Sequence, residues 1–349
     1  MKKKLVSVAA LVMALCLMLA ACGSTGGTTA TPAPDTNTSA PESAAPDASA
    51  PEAGDKLNAN ASLKMATGGT TGTYYAFGGI IAGALEGAVD GLSVTVHDSG
   101  ASKANIYEII DGEADLAFAQ NDVTYYALTG TDLFESDGAQ EGFSVLAGLY
   151  PEVVQIVASK DITDISQLKG KKVSVGDAGS GTEFNARQIL GAYGISFDDI
   201  SVQNLDFGNS ATALKDGKID AFFTVAGAPT TNIVDLCTTT SINILGLDDE
   251  HVAILQGDYS FYTTYTIEAN TYNGVDYDVN AVAVTATLLV SNALDNDTVY
   301  TVTKALFENA DSMEHEKAKY IDAEYAVSGF DDMPIHPGAL QYYTEIGVK

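Results

Sequence analysis

The sequence contains one arrangement of elements twice, and this repeat restricts the possible fold more than any other feature. Each copy begins with a short apolar strand, a glycine-rich turn and a helix, at residues 68–75 and again at residues 176–184. A second strand, a small polar turn and a further helix follow, and that helix ends at Asp-Gly, at 111–112 and at 216–217. Strands that alternate with helices are typical of parallel sheets, so we predict two related α/β lobes.

The two glycine-rich turns are candidates for binding a small ligand. Such a turn before a helix presents free backbone N–H groups at the positive end of the helix dipole, which suits a carboxylate or a phosphate. In α/β sheets, ligands bind beyond the carboxyl ends of the strands, so two facing lobes would place both turns on one cleft. We therefore predict ligand contacts at Gly72, Thr73, Ser180, Gly181 and Thr182.

Aromatic and acidic side chains lie close to these turns or at the ends of strands. Tyr74, Tyr75 and Tyr150 could pack on a small ligand and offer the hydroxyl as a hydrogen-bonding group. Each of them could equally fill the hydrophobic core. Asp122 or Glu152 could hold an amino group of the ligand.

The charge of the chain excludes one class of partner. The formal net charge is −29, and Arg187 is the only arginine. Nucleic-acid binding requires clustered basic side chains, so no nucleic-acid partner is expected. Arg187 could hold a ligand carboxylate with two hydrogen bonds. Alternatively it lies on the outer face of its helix beside an acid, which its place in the second turn favours.

The N-terminal region has the pattern of an export signal. In residues 1–21, three lysines precede an apolar run that is too short to span a bilayer. Leu-Ala-Ala before Cys22 resembles a lipobox, which implies cleavage there and attachment of a lipid to the thiol. The alternative is an ordinary signal peptide cleaved near Ala21. Residues 22–60 are rich in Ala, Pro, Thr and Ser, which predicts a disordered tether and hence an extracytoplasmic, lipid-anchored protein.

The rest of the sequence is long enough for two domains. We assign residues 61–150 and 250–349 to the first lobe and residues 151–249 to the second. Two crossings between the lobes would form a hinge that can close on a ligand. Cys237 is the only cysteine in this part of the sequence, so it cannot form an internal disulfide. We interpret it as a small buried hydrophobic residue rather than a catalytic thiol.

No catalytic or cofactor motif is found in the sequence. The turn at 176–182 has the glycine spacing of a P-loop, but Thr182 stands where the lysine is required. Ser180 does not fit a Gly-x-Ser-x-Gly nucleophile elbow, because Ala178 and Thr182 stand at the two glycine positions. The four histidines are far apart and show no metal-ligand spacing. We therefore predict a binding protein without a cofactor or a metal, and not an enzyme.

Short motifs spread in order along residues 61–349 form a set that is more specific than any one of them. They are Thr71-Gly-Thr-Tyr-Tyr75 with Gly78-Gly79, Phe118-Ala-Gln-Asn-Asp122, Leu149-Tyr-Pro-Glu152, Gly179-Ser-Gly-Thr182, Asp216-Gly-x-x-Asp-Ala-Phe-Phe223, Ala226-Gly-x-Pro229 and Ile335-His-Pro-Gly338. This set resembles the TAXI group of solute receptors, the TRAP-associated extracytoplasmic immunogenic proteins.

The resemblance implies a type II periplasmic-binding fold, with two α/β lobes around a ligand cleft and a hinge. It also implies delivery of a small organic anion or amino acid to a TRAP membrane permease that an ion gradient drives. Glutamate, glutamine and dicarboxylates are the expected ligand types, and we expect a monomer. A receptor of the same fold that serves an ATP-driven importer or a sensor is the alternative.

The motifs and the strand ends together extend the predicted site. Asn121 departs from the family pattern, in which serine is expected, and this leaves the identity of the ligand open. Because Arg187 is the only arginine, we expect backbone N–H groups and hydroxyls to bind the carboxylate. The added positions are Ser99, Gln120, Asn121, Ala226, Gly227 and Pro229.

Overall fold

The computed structural model describes residues 57–349. The predicted signal peptide, the lipid attachment at Cys22 and most of the predicted tether lie outside the described residues. The first copy of the repeat alternates strands and helices as predicted. Its elements are β1 (Leu57–Ala66), α1 (Thr73–Ala88), β2 (Val89–His97), α2 (Ser102–Ile110), β3 (Leu116–Gln120) and α3 (Asn121–Thr129).

The second copy follows the same order after a long strand, β4 (Phe143–Ser159). None of the helices between Leu57 and Lys349 is long and apolar enough to cross a bilayer. The elements of the second copy are β5 (Lys172–Ser174), α4 (Gly181–Ala192), β6 (Ser201–Gln203), α5 (Phe207–Lys215), β7 (Ala221–Ala226) and α6 (Thr231–Cys237). The remaining elements are β8 (Ile242–Leu245), α7 (Asp249–Asp258), β9 (Thr263–Ile267), β10 (Val279–Ser291), α8 (Asn296–Glu308), α9 (Ala323–Val327) and α10 (Pro337–Glu345).

The repeated Asp-Gly-x-x-Asp pattern has the same structural role in both copies. Gly112 and Gly217 follow α2 and α5 with φ of 73° and 66°, a conformation that glycine adopts without strain. The Asp115 carboxylate accepts a hydrogen bond from a backbone N–H of β1 at 2.8 Å. The Asp220 carboxylate accepts the equivalent bond from β5 at 2.7 Å. The pattern therefore ends a helix and ties the next strand to its neighbour.

The strand order confirms two lobes of the type II arrangement. The first lobe has the order β2-β1-β3-β10-β4, and the second has β6-β5-β7-β4. The outer strands of each lobe are parallel, whereas β4 and β10 run antiparallel to each other and to their neighbours. These two long strands pass from one lobe to the other. β8 adds to the edge of β4, and β9 adds to β10.

Each lobe has hydrophobic cores on both faces of its sheet. Along β3, Leu116 and Phe118 pack with α1 and α8, whereas Ala117 and Ala119 pack with α2 and α3. This alternation follows from the two-residue period of a strand. In the second lobe, α4 and α7 cover one core, and α6 covers the other. Helices on both faces explain why β3 and β7 are buried along their full length.

Two predicted boundaries differ from the structure. β1 begins at Leu57, inside the segment predicted as tether, because Ala59 and Leu63 already pack in the first-lobe core. The second lobe also extends beyond residue 249. Val252 and Leu255 of α7 share a core with α4, so the chain returns to the first lobe within β10. Directly before α7, β8 pairs with β4 inside the second lobe, so it does not lead back to the first lobe.

Candidate ligand-binding site

A cavity lies between the two lobes, where four helices begin. The first residues of α1 and α2 in one lobe and of α4 and α5 in the other form its wall. The cavity contains about 520 Å³ of space between the atoms, a figure that includes space open to solvent. The predicted site residues in its wall are Gly72, Thr73, Tyr74, Gln120, Glu152, Ser180, Gly181, Thr182 and Ala226.

The helix starts offer backbone hydrogen-bond donors to this cavity. The first N–H groups of any helix have no partner within the helix. In α1, Gly72 is the N-cap and makes no side-chain hydrogen bond to the first turn. In α4, the Ser180 hydroxyl accepts only from the Glu183 N–H, at 3.1 Å. The N–H groups of the first residues therefore remain for an anionic group, where the helix dipoles favour negative charge.

Three side chains of the wall are acidic, and none of the wall residues is Lys, Arg or His. Glu152, Asp177 and Asp206 contribute carboxyl groups. Burial, and next the charge of Asp206, raises the pKa of Asp177 above its ordinary value. The cavity therefore combines positive helix ends with carboxyl groups. This arrangement can hold the two opposite charges of a zwitterion.

Glu152 lies at the crossing of β4 between the lobes and is fully enclosed. The Tyr74 hydroxyl donates a hydrogen bond to its carboxylate at 2.5 Å. Burial raises the pKa of Glu152 to about 8, although the bond from Tyr74 acts in the opposite direction. At neutral pH this carboxyl group is therefore largely protonated and can donate a hydrogen bond as well as accept one.

Three predicted contacts lie away from the cavity wall because they have other partners or orientations. Tyr75 follows Tyr74 on α1 and points outward, with 36% of its surface exposed. The Ser99 hydroxyl lies between two acceptors, the Thr67 carbonyl after β1 and the Asn105 side chain on α2, to which it can donate its proton. The Asn121 side chain accepts a hydrogen bond from a backbone N–H of β10 at 2.9 Å. Ser99 and Asn121 therefore bind other parts of the protein, and Tyr75 faces outward.

The other predicted positions outside the wall lie behind it. Tyr150 is completely buried, and its hydroxyl has no partner among the described residues. Asp122 is also buried behind the wall, and burial raises its pKa to about 6. Gly227 contacts the opposite lobe, and Pro229 lines a small outer depression beside Thr73. The prediction that Asp122 holds the ligand directly is therefore not supported by its position.

Two contacts join the lobes beside the cavity. The Gly227 N–H donates to the Thr73 hydroxyl at 3.2 Å. The Lys317 ammonium donates to the Ala228 carbonyl at 2.5 Å and lies 2.9 Å from the Glu316 carboxylate. Burial of a charge is costly unless it is paired and hydrogen-bonded, as it is here. In this structure the two lobes are therefore closed on each other, and both contacts stabilise the closed arrangement.

Arg187 lies away from the cavity, in agreement with the alternative considered from the sequence. Its side chain is 55% exposed and lies 4.0 Å from Glu183. The guanidinium group lies 3.9 Å from the centre of the Phe197 ring. Arg187 therefore does not contribute to the cavity wall.

Comparison with known proteins assigns the chain to a family. A family model described as the NMT1-like family matches residues 65–347. The chain belongs to the NMT1-like family.

Solved structures with a similar fold cover most of the chain. A protein of Bordetella bronchiseptica RB50 has a TM-score of 0.50 and 18% identity, over 81% of this chain and 82% of that chain. This likeness indicates a shared fold. The alkanesulfonate-binding protein SsuA from Xanthomonas axonopodis pv. citri, bound to MOPS, has a TM-score of 0.48 and 15% identity, over 81% and 83%. The periplasmic aliphatic sulphonate binding protein SsuA from Escherichia coli has a TM-score of 0.45 and 14% identity, over 81% and 82%.

Some wall residues were not predicted as contacts. Asp206 and Phe207 begin α5, and Ala101 and Ser102 begin α2, which is its counterpart in the repeat. The small polar turns after β2 and β6 were a signal that could have identified both pairs. Lys317, which joins the lobes beside the cavity, could not be identified in this way, because it lies in an irregular segment far along the chain.

Proposed function

We propose that this protein is an extracytoplasmic receptor that captures a small organic solute between its lobes and presents it to a membrane transporter. The observation that carries the proposal is the cavity between the lobes, at which helices of both lobes begin. Hydrogen bonds from Gly227 to Thr73 and from Lys317 to Ala228 close the lobes beside it. A ligand held there would be enclosed by closure and released by opening at the hinge.

The ligand that fits these charges best is a small zwitterion, such as glutamate, glutamine or another amino acid. Its carboxylate would accept hydrogen bonds from the first N–H groups of α1 and α4. Its ammonium group would lie toward the Asp177 carboxyl group, and the largely protonated Glu152 would offer it a neutral hydrogen-bond acceptor. A dicarboxylate would meet these acids without a basic side chain to balance it, so we consider it the weaker candidate.

The partner is proposed on the resemblance of the sequence motifs to the TAXI receptors. We infer a TRAP permease as the partner and a lipid on Cys22 as the anchor that holds the receptor, as a monomer, near it. An ATP-driven importer or a sensor remains the alternative partner. The neighbouring genes discriminate between them, since a fused TRAP permease favours the first and a transport ATPase favours the second.

The direct test is calorimetry on residues 57–349 with a panel of the amino acids, glutarate and succinate, together with native mass spectrometry to identify any retained ligand. We expect an amino acid to bind. Thr182→Val should weaken binding about 10-fold by removing one wall hydroxyl. Arg187→Gln, which changes a side chain outside the cavity, should leave binding unchanged. The proposal fails if the panel does not bind and no small molecule is retained.

A further inference from the structure

We propose that Asp122, acting through Asn185, fixes the amide of Gln120 with its oxygen toward the cavity, so that the bound solute must present an N–H donor there. This inference rests on the proposed function and narrows its ligand class to amines and amides. Asp122 and Asn185 are then positioning residues, and Gln120 determines specificity.

The direction of the two amides follows from hydrogen-bonding capacity. An ionised carboxylate can only accept, so Asn185 must turn its Nδ2 toward Asp122, at 2.9 Å. Burial raises the pKa of Asp122 to about 6, which still leaves the group mostly ionised at pH 7. Asn185 Nδ2 also donates to the Tyr262 hydroxyl at 2.8 Å, and that hydroxyl donates its own proton to Gln188 at 2.6 Å. The orientation of Asn185 is therefore determined by both neighbours.

With Asn185 held in this way, only its oxygen faces Gln120. Gln120 Nε2 donates to Asn185 Oδ1 at 3.0 Å. The Gln120 amide cannot turn over without losing this bond, so its oxygen points away from Asn185, to where Gly181 of the cavity wall lies next to it. Gln120 is 3% exposed and belongs to the cavity wall, and its Oε1 has no partner among the described residues.

An unpaired buried acceptor is unfavourable until a donor reaches it. A ligand ammonium or amide group supplies that donor, whereas a ligand that lacks one leaves Gln120 Oε1 unpaired. Without the chain from Asp122, the amide could turn and offer its NH₂ group to a carbonyl or carboxylate instead. The relay therefore decides which ligand chemistry the wall accepts.

The relay is assembled from both lobes. Gln120 and Asp122 lie at the start of α3 in the first lobe, and Asn185 lies on α4 in the second lobe. The backbone N–H of Gln120 is held by the Ser102 hydroxyl at 3.1 Å. Selection for an N–H donor is therefore established as the lobes meet, and an open receptor lacks it.

The test compares ligand pairs that differ by the amino group: L-glutamate with glutarate and L-alanine with propionate, by calorimetry near pH 7.5. We expect the wild type to bind the amino member of a pair at least about 30-fold more tightly. Asp122→Asn keeps the shape of the side chain but allows Asn185 to turn, so it should reduce this ratio about 10-fold. Glu113→Gln removes an equal charge from an exposed position and should keep the wild-type ratio.

The ratio separates selection from folding, because general destabilisation weakens both members of a pair alike. Circular dichroism and the melting temperature would show whether Asp122→Asn is folded, and Asn185→Leu provides a second break in the relay. An unchanged ratio in folded variants, or a wild-type ratio near one, would overturn the relay and leave the receptor function standing. If no amino acid of the full panel binds the wild type and no small molecule is retained, the proposed function and the relay are both rejected.

Discussion

The Lys317 ammonium of the first lobe donates a hydrogen bond to the Ala228 carbonyl of the second lobe at 2.5 Å. Lys317 is only 3% exposed, and its stem packs against Gly227, where a side chain would overlap it. In this position the ammonium group has lost most of its hydration, and the Ala228 carbonyl and the Glu316 carboxylate replace the water. If the lobes separated, it would recover water and lose Ala228, so this contact couples the charge of Lys317 to closure.

We predict that Lys317→Met shifts the receptor toward the open arrangement. Methionine retains the length of the stem but cannot donate to the Ala228 carbonyl. The loss should cost closure about 1–3 kcal/mol, which is the usual range for a hydrogen bond to a charged group. Fluorescence energy transfer between labels on the two lobes, with Cys237→Ser to remove the native thiol, would measure it.

Lys319→Met is the matched control, because Lys319 belongs to the same segment but is exposed and lies 5.0 Å from the Tyr320 ring. It should leave the distance between the labels unchanged. Equal distances in the two variants would argue against a role of Lys317 in closure.

Substitution by alanine should have different effects at two glycines of α4. Gly181 lies against the Gln120 amide, so an added methyl group would overlap it and keep the lobes apart. Gly191 has nothing within 4 Å of the same position. Gly181→Ala should therefore abolish closure and ligand binding, and Gly191→Ala should stabilise the fold by about 0.5–1 kcal/mol. Small-angle scattering and calorimetry would measure the first effect, and urea denaturation the second.

Adjacent glycines on α1 provide a comparable test of packing. A methyl group on Gly78 would lie 2.9 Å from Thr67 and 3.2 Å from Phe118, both of which are buried. Gly79 faces open space. We expect Gly78→Ala to destabilise the protein by about 1–3 kcal/mol and Gly79→Ala to stabilise it by about 0.5–1 kcal/mol. If the denaturation curves of the two variants coincided, this description of the packing of α1 would be contradicted.

The order of elements could be predicted because its signals are local. The Asp-Gly turns at 111–112 and 216–217 and the glycine-rich turns mark helix ends and starts within a few residues. The path of the chain between the lobes could not be predicted in this way. Residues 281–290 form a long, mostly apolar run that is typical of a buried strand, but such a run does not state which strands it pairs with. Its pairing with β4 across both lobes decides where the second lobe ends.

In the candidate site, too, local sequence signals predict some features, whereas others depend on how distant elements pack. The turns at Thr73 and Ser180 lie in the wall because helix starts after parallel strands share one edge of the sheet. Tyr74 and Tyr75 are adjacent residues of the same type, so the sequence does not distinguish them. Consecutive helical residues point about 100° apart, however, and only Tyr74 reaches the cavity. Which of them does so depends on how α1 packs on the sheet. Likewise, Asp122 appears from sequence to be a ligand contact, and only its bond to Asn185 shows the indirect role.

The buried carboxyl group of Glu152 should make the stability of the protein depend on pH. Burial raises its pKa from an ordinary 4.5 to about 8, so between these values the folded state holds a proton that the unfolded state has lost. Stability contributed by this proton is therefore present at low pH and is lost as pH rises through the window, flattening above pH 8. The loss is on the order of 5 kcal/mol at most.

Glu152→Gln removes this titration while retaining an oxygen that can accept from Tyr74. We expect the variant to match the wild type near pH 4 and to exceed its free energy of unfolding progressively between about pH 4.5 and pH 8. Urea denaturation across this range measures the difference, in which contributions from Asp122 and the histidines cancel because both proteins share them. Glu113→Gln, an exposed change of equal charge, should run parallel to the wild type. If Glu152→Gln also runs parallel, the carboxyl group is ionised in the folded protein, and the zwitterion would then meet a full negative charge at this wall.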